Sequence, residues 1–147
     1  MNELRELYQE MILDHNRSPR NKGKLPDANA QAEGHNPLCG DRVTVYLDLS
    51  EGSVRNIRFE GVGCAISTAS ASMMTEAVMG KTVEEVEAMF QQFHQMVTQG
   101  GVGAGIEFEK LEVLAGVRDY PVRVKCATLP WHALHAALHN EGGVSTE

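Results

Sequence analysis

The stretch from residue 42 to residue 60 constrains the fold more than any other part of the chain. Val43, Val45, Leu47 and Leu49 alternate with Arg42, Thr44, Tyr46 and Asp48, and a period of two predicts a strand buried on one face. Glu51-Gly52 marks a turn, and Val54, Ile57 and Phe59 continue a second strand, so the two segments are expected to pair as a hairpin. Gly61-Val62-Gly63-Cys64-Ala65-Ile66 reads as a glycine-flanked turn and a short third strand. Strands in one block and helices in another predict an α+β fold: a small antiparallel three-stranded sheet with helices packed on one face.

The helical block follows residue 66. Residues 67–79 are small and apolar, with a stop at Gly80, and the methionines at 73, 74 and 79 read as core packing. Thr82-Val83-Glu84-Glu85 has the form of a capping box opening a helix to about Thr98. Four glycines between 100 and 105 predict a flexible segment, and residues 107–117 a short helix. Pro121 reads as an interruption, Pro130 as the start of a last helix through about His139, and the tail from Gly142 as frayed. Before the hairpin, Leu4, Tyr8, Met11 and Ile12 predict a helix over 3–15, and five Pro/Gly breakers predict an irregular connection over 16–38. Arg17, Arg20, Lys22 and Lys24 form a basic cluster there, either a solvated loop or a docking surface for an acidic partner.

At 147 residues, 1–147 reads as a single domain, long enough to fold without disulfides. A net charge of -7 argues against a nucleic-acid partner. No apolar run reaches the ~20 residues that a membrane span needs, and the N-terminus lacks an apolar secretory core. The three cysteines form no disulfide framework, so a reducing cytoplasm is the expected compartment.

Those cysteines carry the chemistry. In Pro37-Leu38-Cys39-Gly40-Asp41 a thiol and a carboxylate stand at i and i+2, leaving an extended backbone on the same side. Cys64 and Cys126 lie far away in sequence. Three inert buried thiols are one reading. The other is a single metal ion held by Cys39, Asp41, Cys64 and Cys126. It is favoured because each cysteine falls at an expected element boundary, and because Asp41 beside a thiol calls for a balancing cation. Such a donor set would suit Zn2+, with iron or an Fe–S cluster as the alternative. Its three thiolates and one carboxylate would leave a net charge of about -2, which Arg123 and Lys125 can offset. Paired C-x2-C knuckles and deaminase signatures are absent.

Three segments together resemble the IscU/NifU N-terminal family of iron–sulfur cluster assembly proteins, and most closely its SufU-type branch. They are Asn36-Pro37-Leu38-Cys39-Gly40-Asp41, Gly61-Val62-Gly63-Cys64-Ala65-Ile66-Ser67 and Arg123-Val124-Lys125-Cys126-Ala127-Thr128-Leu129-Pro130-Trp131. The segment from Leu7 to Asn21 also fits. Two departures favour the SufU type over the IscU type: Lys125 stands where IscU-type scaffolds carry histidine, and the stretch between Cys64 and Cys126 is longer. The resemblance implies zinc held by Cys39, Asp41, Cys64 and Cys126, with Cys39 as the acceptor of persulfide sulfur. It implies a SufS-type cysteine desulfurase as donor, contacted through Arg123, and a downstream Fe–S assembly scaffold as recipient. The alternatives are a scaffold on which an Fe–S cluster is built, and a purely structural zinc module.

His132, His135 and His139 share a helix face that can bind metal; as an ordinary solvated face it would instead favour the helix dipole. His15, His35 and His94 look isolated.

Overall fold

A computed structural model describes residues 10, 12–36, 40–99, 121–139 and 143–145. The elements run β1 (Ala30–Asn36), β2 (Asp41–Ser50), β3 (Ser53–Val62), α1 (Ala65–Val78), α2 (Val83–Gln99), α3 (Pro121–Leu138) and β4 (Gly143–Ser145). The sheet order is β3-β2-β1-β4, antiparallel across its first three strands, with β4 parallel to β1. Residues 12–17 are helical, extending the expected N-terminal helix beyond residue 15.

The hairpin forms as the alternation predicts. Glu51 and Gly52 both have positive φ, 53° and 77°, the conformation that matches the twist of a two-residue hairpin. Hydrogen bonds from Val83 N–H to the Gly52 carbonyl and from Val54 N–H to the Lys81 carbonyl tie the tip to the α1–α2 connection. At the other end Gly61 sits at φ 150°, where a Cβ would lie 2.1 Å from the Arg42 carbonyl oxygen of β2. Gly61→Ala is therefore expected to lower stability by about 3 kcal/mol, combining backbone strain and a clash with the ladder. A shift in the urea midpoint measures it.

The third antiparallel strand is β1, not residues 61–66. Positions 61 and 62 complete β3, and Ala65 already opens α1. β1 lies inside the span expected to be irregular, and its buried positions are Ala32, Gly34 and Asn36. Small side chains suit the close approach of α3. A Cβ on Gly34 would meet Leu129 Cδ1 at 3.0 Å and Ala133 Cβ at 3.3 Å. The tail read as frayed pairs as β4 at Glu33, Gly34 and His35. On the opposite edge, residues 21–23 cover β3 through Phe59 N–H to the Asn21 carbonyl and Gly23 N–H to the Phe59 carbonyl, shielding an otherwise open strand.

The core lies between the sheet and the helices. Val43, Val45, Leu47, Ile57 and Phe59 meet Leu129, Trp131 and Leu134 of α3, together with Met73, Met74 and Val78 of α1. Met79 is exposed. The capping box forms reciprocally: Thr82 N–H donates to Glu85 Oε1 at 3.0 Å, and Glu85 N–H donates to Thr82 Oγ1 at 3.1 Å. α3 is one helix rather than a break followed by a helix. Pro121 takes its first position, where a missing N–H costs nothing, and Pro130 lies inside it. The segments expected to be flexible and helical between 100 and 117 lie outside the described residues.

His15 is not isolated. It is buried, its Nδ1 lies 2.7 Å from Ser72 Oγ, and its Nε2 lies 3.7 Å from Glu76. Arg20 adds a backbone N–H to Ser72 Oγ and a guanidinium contact to Asp14 at 2.6 Å, which holds the Asp14 carboxyl below its ordinary range. The basic stretch is thus partly anchored onto α1.

On the face of β2 opposite Val45, Tyr46 donates its hydroxyl to Glu60. That hydrogen bond, with burial and the Glu60 charge, pushes its pKa up from 10.0 to about 12. The folded-state value lies above the unfolded one. The stabilisation is therefore fully present below pH 10 and is lost as pH rises through about 12. Alkaline unfolding followed by circular dichroism should show this loss, and Tyr46→Phe should flatten it.

Candidate metal centre

Asp41 is the first residue of β2 and shares its face with Val43, Val45 and Leu47, so its carboxylate points toward the helices. It is 3 % exposed. Gly40, at φ 74°, turns the chain into the strand with its N–H on the Asn36 carbonyl at 2.8 Å. Cys64 follows β3 and is the N-cap of α1. Its sulfur accepts the Ser67 N–H at 3.4 Å, and its own N–H donates to Asp41 Oδ1 at 3.1 Å. A helix N-terminus presents N–H groups and the positive end of the dipole to an anionic ligand atom. Gly63 permits this packing, because a Cβ there would press on Ser67 Oγ at 3.0 Å.

Cys126 arrives from a third direction. It lies inside α3, fully buried, rather than at an element boundary as its neighbouring prolines suggest. Ser70 Oγ donates to the Ala127 carbonyl at 2.6 Å and fastens α1 to α3 beside it. Pro130 has no N–H to give the Cys126 carbonyl four residues back. One ligand atom each from Asp41, Cys64 and Cys126 lies within 4.8 Å of the other two. Asp41 Oδ2 is buried with no hydrogen-bond partner among the described residues.

Three of the four expected donors are thus brought together from strand, cap and helix. Cys39 lies outside the described residues, between the end of β1 and the start of β2. Arg123 is exposed, one turn ahead of Cys126 on α3, and Lys125 is half-buried. Asn36 escaped notice as a supporting residue. It is fully buried and pairs with Asp41 across β1 and β2. A polar residue just ahead of Pro37 and Cys39 was the available signal.

The histidine face is only partly solvated: His139 is exposed, whereas His132 and His135 are half-buried. His132 packs edge-on to Phe90 at 5.3 Å and to His94 at 5.8 Å, while His135 stacks on Phe90 at 4.7 Å. Burial, then the neighbouring His94 and His135, hold His132 below the ordinary imidazole range.

Among the described residues, no helix is long and apolar enough to cross a membrane. Residues 7–141 match the model of the NifU-like N-terminal domain family. The chain is 42% identical over 137 residues to the zinc-dependent sulfurtransferase SufU of Bacillus subtilis, covering 93% of this chain and 92% of that protein. It is 39% identical over 132 residues to the iron–sulfur cluster assembly scaffold protein IscU of Thermotoga maritima, covering 90% and 92%. The crystal structure of the N-terminal part of a NifU-like protein from Brucella abortus superposes with a TM-score of 0.84 at 30% identity, covering 90% of this chain and 92% of that one. With a family match spanning residues 7–141 and a shared fold over 90% of the chain, the protein belongs to the NifU-like N-terminal domain family.

Proposed function

We propose that this chain is an iron–sulfur cluster assembly protein that accepts persulfide sulfur on Cys39 from a SufS-type cysteine desulfurase and passes it to a downstream assembly scaffold. In this reading Cys39, Asp41, Cys64 and Cys126 hold Zn2+. The observation that carries it is the convergence of Asp41, Cys64 and Cys126 around a buried carboxylate oxygen that has no hydrogen-bond partner among the described residues. Such an oxygen beside two sulfurs is costly to bury without a cation, and the donor set fits zinc. The bound metal would keep its cysteine ligands as thiolates, the reactive form of sulfur.

The protein's own residues do the rest. The Cys39 thiolate attacks the outer sulfur of the desulfurase persulfide. A sulfur–sulfur bond forms to Cys39, the donor's sulfur–sulfur bond breaks, and the donor cysteine leaves as thiolate. No net oxidation occurs. Asp41 is the hard donor in a soft site, so it is the ligand that yields most readily when Cys39 must move. In this reading Arg123, exposed near the start of α3, would meet the desulfurase.

The scaffold reading keeps the same ligands with an Fe–S cluster as cargo, and the likeness to IscU of Thermotoga maritima supports it. Lys125 weighs against it, since a charged ammonium offers no lone pair to iron. The test is anaerobic and iron-free. The chain is mixed with a cysteine desulfurase and cysteine. Faster alanine release and a persulfide on the chain are expected. No acceleration, with zinc displaced by a stable cluster once iron is added, would favour the scaffold. Asp41→Ala is expected to keep its metal on three thiolates and release it more slowly than wild type to a chromogenic chelator. Rapid loss would contradict the yielding role of Asp41.

A further inference from the structure

α2 and α3 meet at a second donor cluster that the thiol site does not use. Glu87 of α2 reaches two imidazoles at once, His135 of α3 and His139 just past its end. Its Oε2 is 3.3 Å from His135 Nε2, and its Oε1 is 2.9 Å from His139 Nε2. The two histidines stand at i and i+4, one above the other on a single face, with ring centroids 4.5 Å apart. Phe90 stacks on His135 with an interplanar angle of 29° and so fixes the plane of that ring. His132 turns instead toward Phe90 and His94 and does not join the set. One ligand atom from each of Glu87, His135 and His139 lies within 4.8 Å of the other two. The side chains are 29%, 34% and 50% exposed, open enough to admit an ion and leave it a water.

We propose that Glu87, His135 and His139 form a second metal site, for a borderline first-row divalent ion such as Zn2+, separate from the thiol centre. Two imidazole nitrogens and one carboxylate oxygen make a three-ligand site with an open position. Nitrogen donors favour zinc, copper or nickel over the oxygen-seeking magnesium and calcium. His135 lies nine positions beyond Cys126 on α3, about 13.5 Å along the helix at 1.5 Å per residue, so one ion cannot serve both sites. An ion here would fasten α2 to the helix that carries Cys126, and it would stabilise the folded chain by binding only that state.

Calorimetric titration of the metal-free, reduced full-length chain with ZnCl2 tests this. Wild type is expected to bind two equivalents. Glu87→Gln on α2 and His139→Ala just past α3 should each lose one equivalent and keep the other. Cys126→Ser should lose the equivalent that those variants keep. The second equivalent should raise the melting temperature of wild type and not of Glu87→Gln, and MgCl2 should produce neither effect. A single equivalent in wild type that Glu87→Gln leaves intact, or two equivalents in both Glu87→Gln and His139→Ala, would overturn the proposal. So would loss of both equivalents in Glu87→Gln. If wild type binds one equivalent that resists Cys126→Ser and vanishes in Glu87→Gln, this site stands and the thiol centre falls.

Discussion

Cys39→Ser is expected to reduce sulfur transfer from the desulfurase to background while leaving the secondary structure in place. A serine hydroxyl is neither a thiolate nucleophile nor a soft metal ligand, so the variant removes the proposed accepting atom itself. The rest of the centre does not depend on it. Asp41 is set by the register of β2, Cys64 by the cap of α1 and Cys126 by the packing of α3. Mass spectrometry of the chain after reaction with desulfurase and cysteine reads the result. Wild type should carry its added sulfur on Cys39, and Cys39→Ser should carry none. Persulfide on Cys64 or Cys126 of the variant at the wild-type yield would show that another thiol is the acceptor.

The largest effect on stability is expected from Trp131→Ala. Trp131 is fully buried in α3 and stacks on Phe93 of α2, with ring centroids 4.6 Å apart and planes within 17°. Deleting an indole from such a position costs about 3–5 kcal/mol, in transfer energy and in the cavity left behind. That is a large fraction of the roughly 5–15 kcal/mol that holds a domain together. Urea denaturation should show a lower midpoint with an unchanged slope. A loss below about 1 kcal/mol would mean that the α2–α3 contact is not central to the core. Because α3 also carries Cys126, the variant should bind metal more weakly through instability alone, which distinguishes it from Cys39→Ser.

What could be read from the sequence follows from how each element is stabilised. The hairpin and the α2 cap were legible because local rules decide them: alternation with a two-residue turn in one case, Thr82 and Glu85 in the other. β1 was hidden because its inward residues, Ala32, Gly34 and Asn36, are small or polar, chosen for the approach of Leu129 and Ala133 and not for hydrophobic area. α3 looked broken because Pro121 and Pro130 are breakers by rule, yet one sits where a helix tolerates proline and the other is buried within the helix. β4 is three residues long and pairs with β1, more than a hundred residues away in sequence. The candidate donors Asp41, Cys64 and Cys126 were legible by type. Their convergence is tertiary, and so is the partnership of Glu87 with His135 and His139, since nothing local links residue 87 to residue 139.

X-ray absorption at the zinc edge, on the Glu87→Gln chain carrying one equivalent of zinc, tests the central claim most directly. Three sulfurs at about 2.3 Å and one oxygen at about 2.0–2.2 Å are predicted, with one sulfur lost in Cys126→Ser. A shell of nitrogen and oxygen without sulfur would contradict the claim that the thiols and Asp41 hold one ion.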